Sequence, residues 1–121
     1  MKEEKLKEIL DSDFRTEEGK QKIQEILHKI KPLAKCEDDV PLEKVEKVIG
    51  ILCRKYNVGI KQINLAAIPN NDADIYKATL CKFNPFEELG IVYGCCVYEL
   101  YAKVAIMLYD KTRHMKEQDV E

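Results

Sequence analysis

Through much of the chain, apolar residues recur at spacings of three and four, the period of an amphipathic helix. Leu6, Ile9 and Leu10 share one side of a short helix over Glu3–Leu10. Thr16 caps a second helix with Glu17 and Glu18 in its first turn, and Ile23, Ile26, Leu27 and Ile30 form its buried stripe. Pro32 breaks that helix near Lys31, and Cys36 to Asp39 makes the next connector. A third helix opens at Pro41 and buries Leu42, Val45, Val48, Ile49, Leu52 and Tyr56, with Gly50 marking close contact with the C-terminal helix.

The most apolar stretch runs from Asn84-Pro85 to about Arg113 and is interrupted only by Glu99 and Lys103. It reads as one long helix, capped by Asn84, with Pro85 at the first position and Glu87 as a capping-box acid. A helix apolar on nearly every side needs cover from protein or lipid. Lipid is disfavoured because Glu99 and Lys103 would lie at mid-membrane and the tyrosines are spread along the segment. The Glu99–Lys103 spacing of four residues predicts a helix-surface ion pair on a watered edge.

Residues 60–83 support two readings. As helix, Asn71 caps a segment with Asp72 and Asp74 in its first turn and Tyr76, Leu80 and Phe83 at helical spacing. As strands, Ile60–Ile68 and Ile75–Phe83 form a hairpin through Pro69 to Asp72, though neither face of the second strand is cleanly apolar. The helical reading gives an all-α fold: a small bundle of five or six helices around the long C-terminal helix. The alternative is α+β, with one β-hairpin at 60–83. In both, 1–121 is a single domain, with 115–121 a disordered tail.

If 60–83 is helical, residues 42–67 have the layout of a helix-turn-helix. The string Cys53-Arg-Lys-Tyr-Asn-Val-Gly-Ile-Lys-Gln-Ile63 resembles helix-turn-helix stretches of small bacterial and phage regulators. Lys61, Gln62 and Asn64 would then offer amines and amides to base edges, while Arg54 and Lys55, with Lys44 and Lys47, meet phosphates. The net charge of −2 over 121 residues gives no global attraction to nucleic acid, so such a surface must be local.

Composition excludes several classes. With 45% hydrophobic and 35% charged residues the chain is neither disordered nor fibrous. Five cysteines, an odd number with no C-x-x-C, fit reduced core thiols in a cytoplasmic protein, and the charged N-terminal residues lack a secretory h-region. His28 and His114 stand in charged, helix-surface contexts, and there is no phosphate-cradling glycine loop and no H-E-x-x-H. The sequence therefore assigns no catalytic, cofactor-binding or metal-binding residue, no small-molecule substrate and no membrane association.

Two functions remain as expectations. One is a DNA-binding regulator or mobile-element accessory factor that reads double-stranded DNA through the helix-turn-helix as a homodimer. The other is a non-enzymatic protein–protein interaction module, an adaptor or inhibitor, that binds no nucleic acid. The interface expected for a second copy or another protein comprises Gly90, Tyr93, Gly94, Val97, Tyr101 and Leu108.

Overall fold

The computed structural model describes residues 3–10, 16–64, 76–83 and 85–112. Its elements are α1 (Glu3–Leu10), α2 (Glu17–Leu27), a 3₁₀ turn at Lys31–Leu33, α3 (Leu42–Tyr56), β1 (Val58–Asn64), β2 (Tyr76–Lys82), β3 (Glu87–Gly94) and α4 (Val97–Thr112). The fold is α+β and not an all-α bundle: the strands form an antiparallel sheet in the order β1-β2-β3.

The helical layer follows the amphipathic pattern. Thr16 Oγ1 accepts the Gly19 N–H at 3.0 Å and caps α2. The α2 stripe of Ile23, Ile26 and Leu27 continues through Ile30 and Leu33 to meet Val45 and Val48 of α3 and Ala102, Ala105 and Ile106 of α4. Gln24 is the one polar residue buried in this stripe, and its polar atoms are used. Its Oε1 accepts the Val40 N–H at 3.1 Å and its Nε2 donates to the Tyr98 hydroxyl at 2.8 Å, while that hydroxyl donates to the Val40 carbonyl. The network fastens the connector before α3 to both α2 and α4.

The helix-turn-helix reading of 42–67 fails at Asn57. This residue adopts the left-handed conformation, φ 54° and ψ 49°, and ends α3. The chain then leaves as a strand, not as a second helix. Val58 to Asn64 pairs with Tyr76 to Lys82 where the alternative reading placed a hairpin, and a third strand, expected by neither reading, pairs with β2 on its other side. In β2, Ala78 and Leu80 pack on the core, and Lys77, Thr79 and Cys81 alternate with them on the other face, where Thr79 and Cys81 are buried as well.

The long C-terminal helix expected from 84 to 113 is two elements. Its first part is β3, where Gly90, Val92 and Gly94 face α4 and Ile91 and Tyr93 face away. The chain turns at Cys95-Cys96 and only then enters α4. The α4 start has capping-box logic with cysteine in the capping place: the Glu99 N–H points at Cys96 Sγ at 3.5 Å, and the Glu99 carboxylate accepts the Cys95 N–H at 2.5 Å. Asn84, the expected cap, lies outside the described residues, as do 71–75 of the proposed helix and the 115–121 tail.

Because α4 lies between the other helices and the sheet, it is apolar nearly all round. Ala102, Ala105 and Ile106 meet the helices, and Leu100, Val104, Met107 and Leu108 meet Val58, Ala78, Leu80 and Val92 of the sheet. Glu99 and Lys103 also correct the sequence expectation, since they are buried instead of lying at a watered edge. Lys103 Nζ sits 3.3 Å from Glu99 Oε1 and donates to the Tyr93 carbonyl at 3.1 Å, so the pair locks the end of β3 to the first turns of α4. No helix among the described residues is long and apolar enough to cross a membrane.

Candidate functional site

One face of the sheet is occupied by α4, and the opposite face carries an unusual collection of side chains. Of the five large hydrophobic residues exposed among the described residues, four lie on or beside this open face: Phe83, Phe86, Ile91 and Tyr93, with Phe86 at 65% exposure. The fifth, Ile51, lies on α3.

Local sequence explains the arrangement. In β3 the inward positions are Gly90, Val92 and Gly94 because α4 approaches so closely: a Cβ at Gly90 would fall 2.5 Å from Met107 Sδ, and one at Gly94 would fall 2.7 Å from the Leu100 backbone nitrogen. The strand therefore presents its larger side chains, Ile91 and Tyr93, outward. The β2–β3 turn holds Phe83 and Phe86 with ring centroids 6.1 Å apart in a tilted pair. The Phe83 ring also lies over Gly59, where a Cβ would come within 2.9 Å of it.

These rings form one wall of a groove of about 440 Å³ whose floor is Thr79 and Cys81 of β2. Lys77 and Glu88 supply its charges. In register, Lys77 stands opposite Tyr93 and Glu88 opposite Cys81, so the positive and negative groups occupy opposite ends of the face. Among the described residues neither of the two is ion-paired.

A second concavity, of about 280 Å³, lies in the helical layer between the 3₁₀ turn, α3 and the end of α4. Its walls include Ile30, Pro32, Val48, Leu52, Tyr56 and Tyr109.

Reactive chemistry is poorly served by the described residues. All five cysteines are free. Burial pushes the Cys53 thiol up. Burial, with the Glu99 carboxylate alongside, pushes the Cys95 thiol up to about 12, so it stays protonated and weakly nucleophilic. His28 contacts backbone, with its ring nitrogens 2.8 Å from the Gln24 carbonyl and 3.0 Å from that of Asp38. His114 lies outside the described residues. Among the described residues no group of His, Cys, Asp and Glu could hold a metal ion.

The residues expected to contact DNA are divided between two elements. Arg54 and Lys55 end α3, where Arg54 Nε donates to the Gly50 carbonyl at 3.3 Å and Lys55 Nζ lies 5.8 Å from the Tyr56 ring centroid. Lys61, Gln62 and Asn64 belong to β1, in register with Thr79, Ala78 and Tyr76, and no recognition helix carries them.

The residues expected at an interface also separate. Gly90 and Gly94 serve close approach, but to α4 of the same chain. Leu108 is fully buried under the sheet, and Val97 and Tyr101 are half-buried on α4. Tyr93 alone of the six stands on the open face. Sequence reasoning missed Lys77, Phe83, Phe86, Glu88 and Ile91; the alternation of Gly90, Val92 and Gly94 with Ile91 and Tyr93 was the available signal.

No family model matches this chain, nor does any curated protein or solved structure.

Proposed function

We propose that this chain is a non-enzymatic protein–protein interaction module, an adaptor or inhibitor, that docks its partner on the open face of the three-stranded sheet. The observation that carries the reading is the gathering of Phe83, Phe86, Ile91 and Tyr93 on one side of the sheet. Contiguous exposed apolar surface on an otherwise well-packed domain marks an interaction site, and aromatic residues are the side chains that interfaces favour. A groove with an aromatic wall and one charge at each end offers both apolar anchorage and polar orientation. The free thiols fit a reducing compartment, and the proposal places the protein in the cytoplasm.

The test is a photo-crosslinking side chain placed at Ile91 in the cell, with Glu46 on the exposed side of α3 as control. The proposal expects a protein adduct of defined mass from position 91 that resists nuclease, is absent from position 46 and is lost when Phe86→Lys is added. No adduct at position 91, or one that nuclease destroys, would contradict it.

A further inference from the structure

We propose that the concavity in the helical layer binds an unbranched hydrocarbon chain with one anionic head, a ligand of the medium-chain fatty-acid class. The site shares no lining residue with the groove on the open sheet face, so the inference goes beyond the docking reading above. Its basis is a wall of carbon, a pair of cations and a limited volume.

Val48, Ile51, Leu52, Lys55 and Tyr56 recur at spacings of three and four, so a single face of α3 lines the concavity. The wall is mostly apolar, and the Thr112 hydroxyl within it already donates to the Leu108 carbonyl at 2.6 Å. A polar atom pushed against such a wall loses its hydrogen bonds to water, so the sheltered part of the ligand is hydrocarbon.

The charged lining groups, by contrast, are both cations. Lys31 begins the 3₁₀ turn and is exposed, while Lys55 stands one helical turn beyond Ile51 with its Nζ 5.8 Å from the Tyr56 ring centroid. No acid joins them among the described lining residues, and Lys31 is in no ion pair among the described residues. The chain as a whole carries a net charge of −2, so its preference for an anion has to arise locally, at such a pair. A few polar groups beside an apolar hollow are the usual makeup of a small-molecule site.

Volume sets the length of the chain. At about 280 Å³, and ~30 Å³ for each water-sized group, the concavity takes about nine such groups. Decanoate, with nine carbons behind its carboxylate, fills it. A docked helix anchors through side chains at i, i+3, i+4 and i+7, about sixteen carbons if all are leucine, which is more than the space holds.

The experiment is calorimetric titration of the full chain with octanoate, nonanoate, decanoate and dodecanoate below their micelle concentrations, with amide NMR shifts to place the ligand. Decylammonium supplies the same chain with the opposite charge. Decanoate should bind with a dissociation constant below about 1 mM, and affinity should rise about threefold to fourfold per methylene up to decanoate and then level off. Decylammonium should bind at least about tenfold more weakly than decanoate. Lys31→Glu and Lys55→Glu should each weaken decanoate about fivefold. Ile51→Glu, at a lining position already 40% exposed, should weaken it at least as much with the urea midpoint unchanged. Lys47→Glu makes the same charge change as the lysine variants at an exposed position of α3 outside the lining and should leave binding as it is.

No binding of decanoate at about 1 mM, an affinity that keeps rising through dodecanoate, equal affinity for decylammonium, or lysine variants that bind as wild type would overturn the inference. Shifts centred on Val48, Leu52 and Tyr109 support it. Shifts at Ile91 and Tyr93 would place the chain on the sheet face, and shifts at Val48 and Leu52 that follow protein concentration alone would make a second copy the occupant; either result overturns it.

Discussion

Gly94→Ala distinguishes the sheet from a continuous C-terminal helix by the sign of its effect. In a helix interior, replacing glycine by alanine stabilises by about 0.8–1 kcal/mol. In the structure, a Cβ at this position falls 2.7 Å from the Leu100 backbone nitrogen and 3.0 Å from its Cα, in the first turn of α4. Neither backbone can rotate away, so the strand and helix must separate. Overpacking of this kind costs about 1–3 kcal/mol, and contact with backbone on both sides puts Gly94 at the upper end. The reduced freedom of the unfolded chain returns about 0.4–1 kcal/mol, leaving a net loss near 2 kcal/mol. With a urea m-value of roughly 1.5 kcal/mol/M, the midpoint should fall by more than about 1 M.

Two companion substitutions calibrate the measurement. At Gly50, within α3, a Cβ meets nothing within 4 Å, so Gly50→Ala should raise the midpoint by the helix-propensity gain of about 1 kcal/mol. At Gly90 the nearest obstacle is Met107 Sδ on a flexible side chain, so Gly90→Ala should lie between the two. A Gly94→Ala midpoint at or above wild type would refute the packing of β3 on α4.

Three further predictions concern buried polar groups and a thiol. Lys103→Met leaves the buried Glu99 carboxylate without its cation and should cost about 3–5 kcal/mol in urea unfolding, most of it recovered in Glu99→Gln/Lys103→Met; a single-variant loss below about 1 kcal/mol would contradict the buried pair. Tyr98→Phe removes the hydroxyl that joins Gln24 to the Val40 carbonyl and should cost about 1–3 kcal/mol, with faster amide exchange at Val40 as its local signature; unchanged exchange there would contradict the network. The Cys95 thiol is raised by burial first and then by Glu99, so above pH 9 the unfolded chain releases this proton while the folded one keeps it. Stability should therefore fall as pH rises from about 9 towards 12, and Cys95→Ala should flatten that slope in a series of urea midpoints; an identical slope in both proteins would contradict the shift.

The helical layer was legible because its residues agree at every level. Thr16, the acids after it and the 23-26-27-30 stripe all indicate α2, and the stripe from Val45 to Tyr56 indicates α3. The helix-turn-helix expectation failed at Asn57 because a left-handed residue can end a helix before a strand as well as before another helix.

The sheet was hidden by two coincidences. β3 and α4 are joined by only two residues, Cys95 and Cys96, so two apolar elements with different periods fused into one apparent helix. Its all-round apolarity came partly from an outward strand face and partly from a helix covered on both sides. The cap of α4 was concealed because cysteine stands where serine or threonine marks a capping box. The candidate face was invisible for a related reason: it gathers residues from β2, β3 and their turn, and only strand register brings Lys77, Glu88 and Tyr93 onto one surface.

Hydroxyl-radical footprinting in the cell, compared with the purified full chain, tests most directly that this surface is covered by a protein partner. The account predicts that oxidation of Phe83, Phe86 and Tyr93 is lower in the cell than in the purified chain, while that of Tyr56, on the last turn of α3, is the same in both. Oxidation of the three rings that is equal in the two settings, or protection that appears at Tyr56 instead, would contradict it.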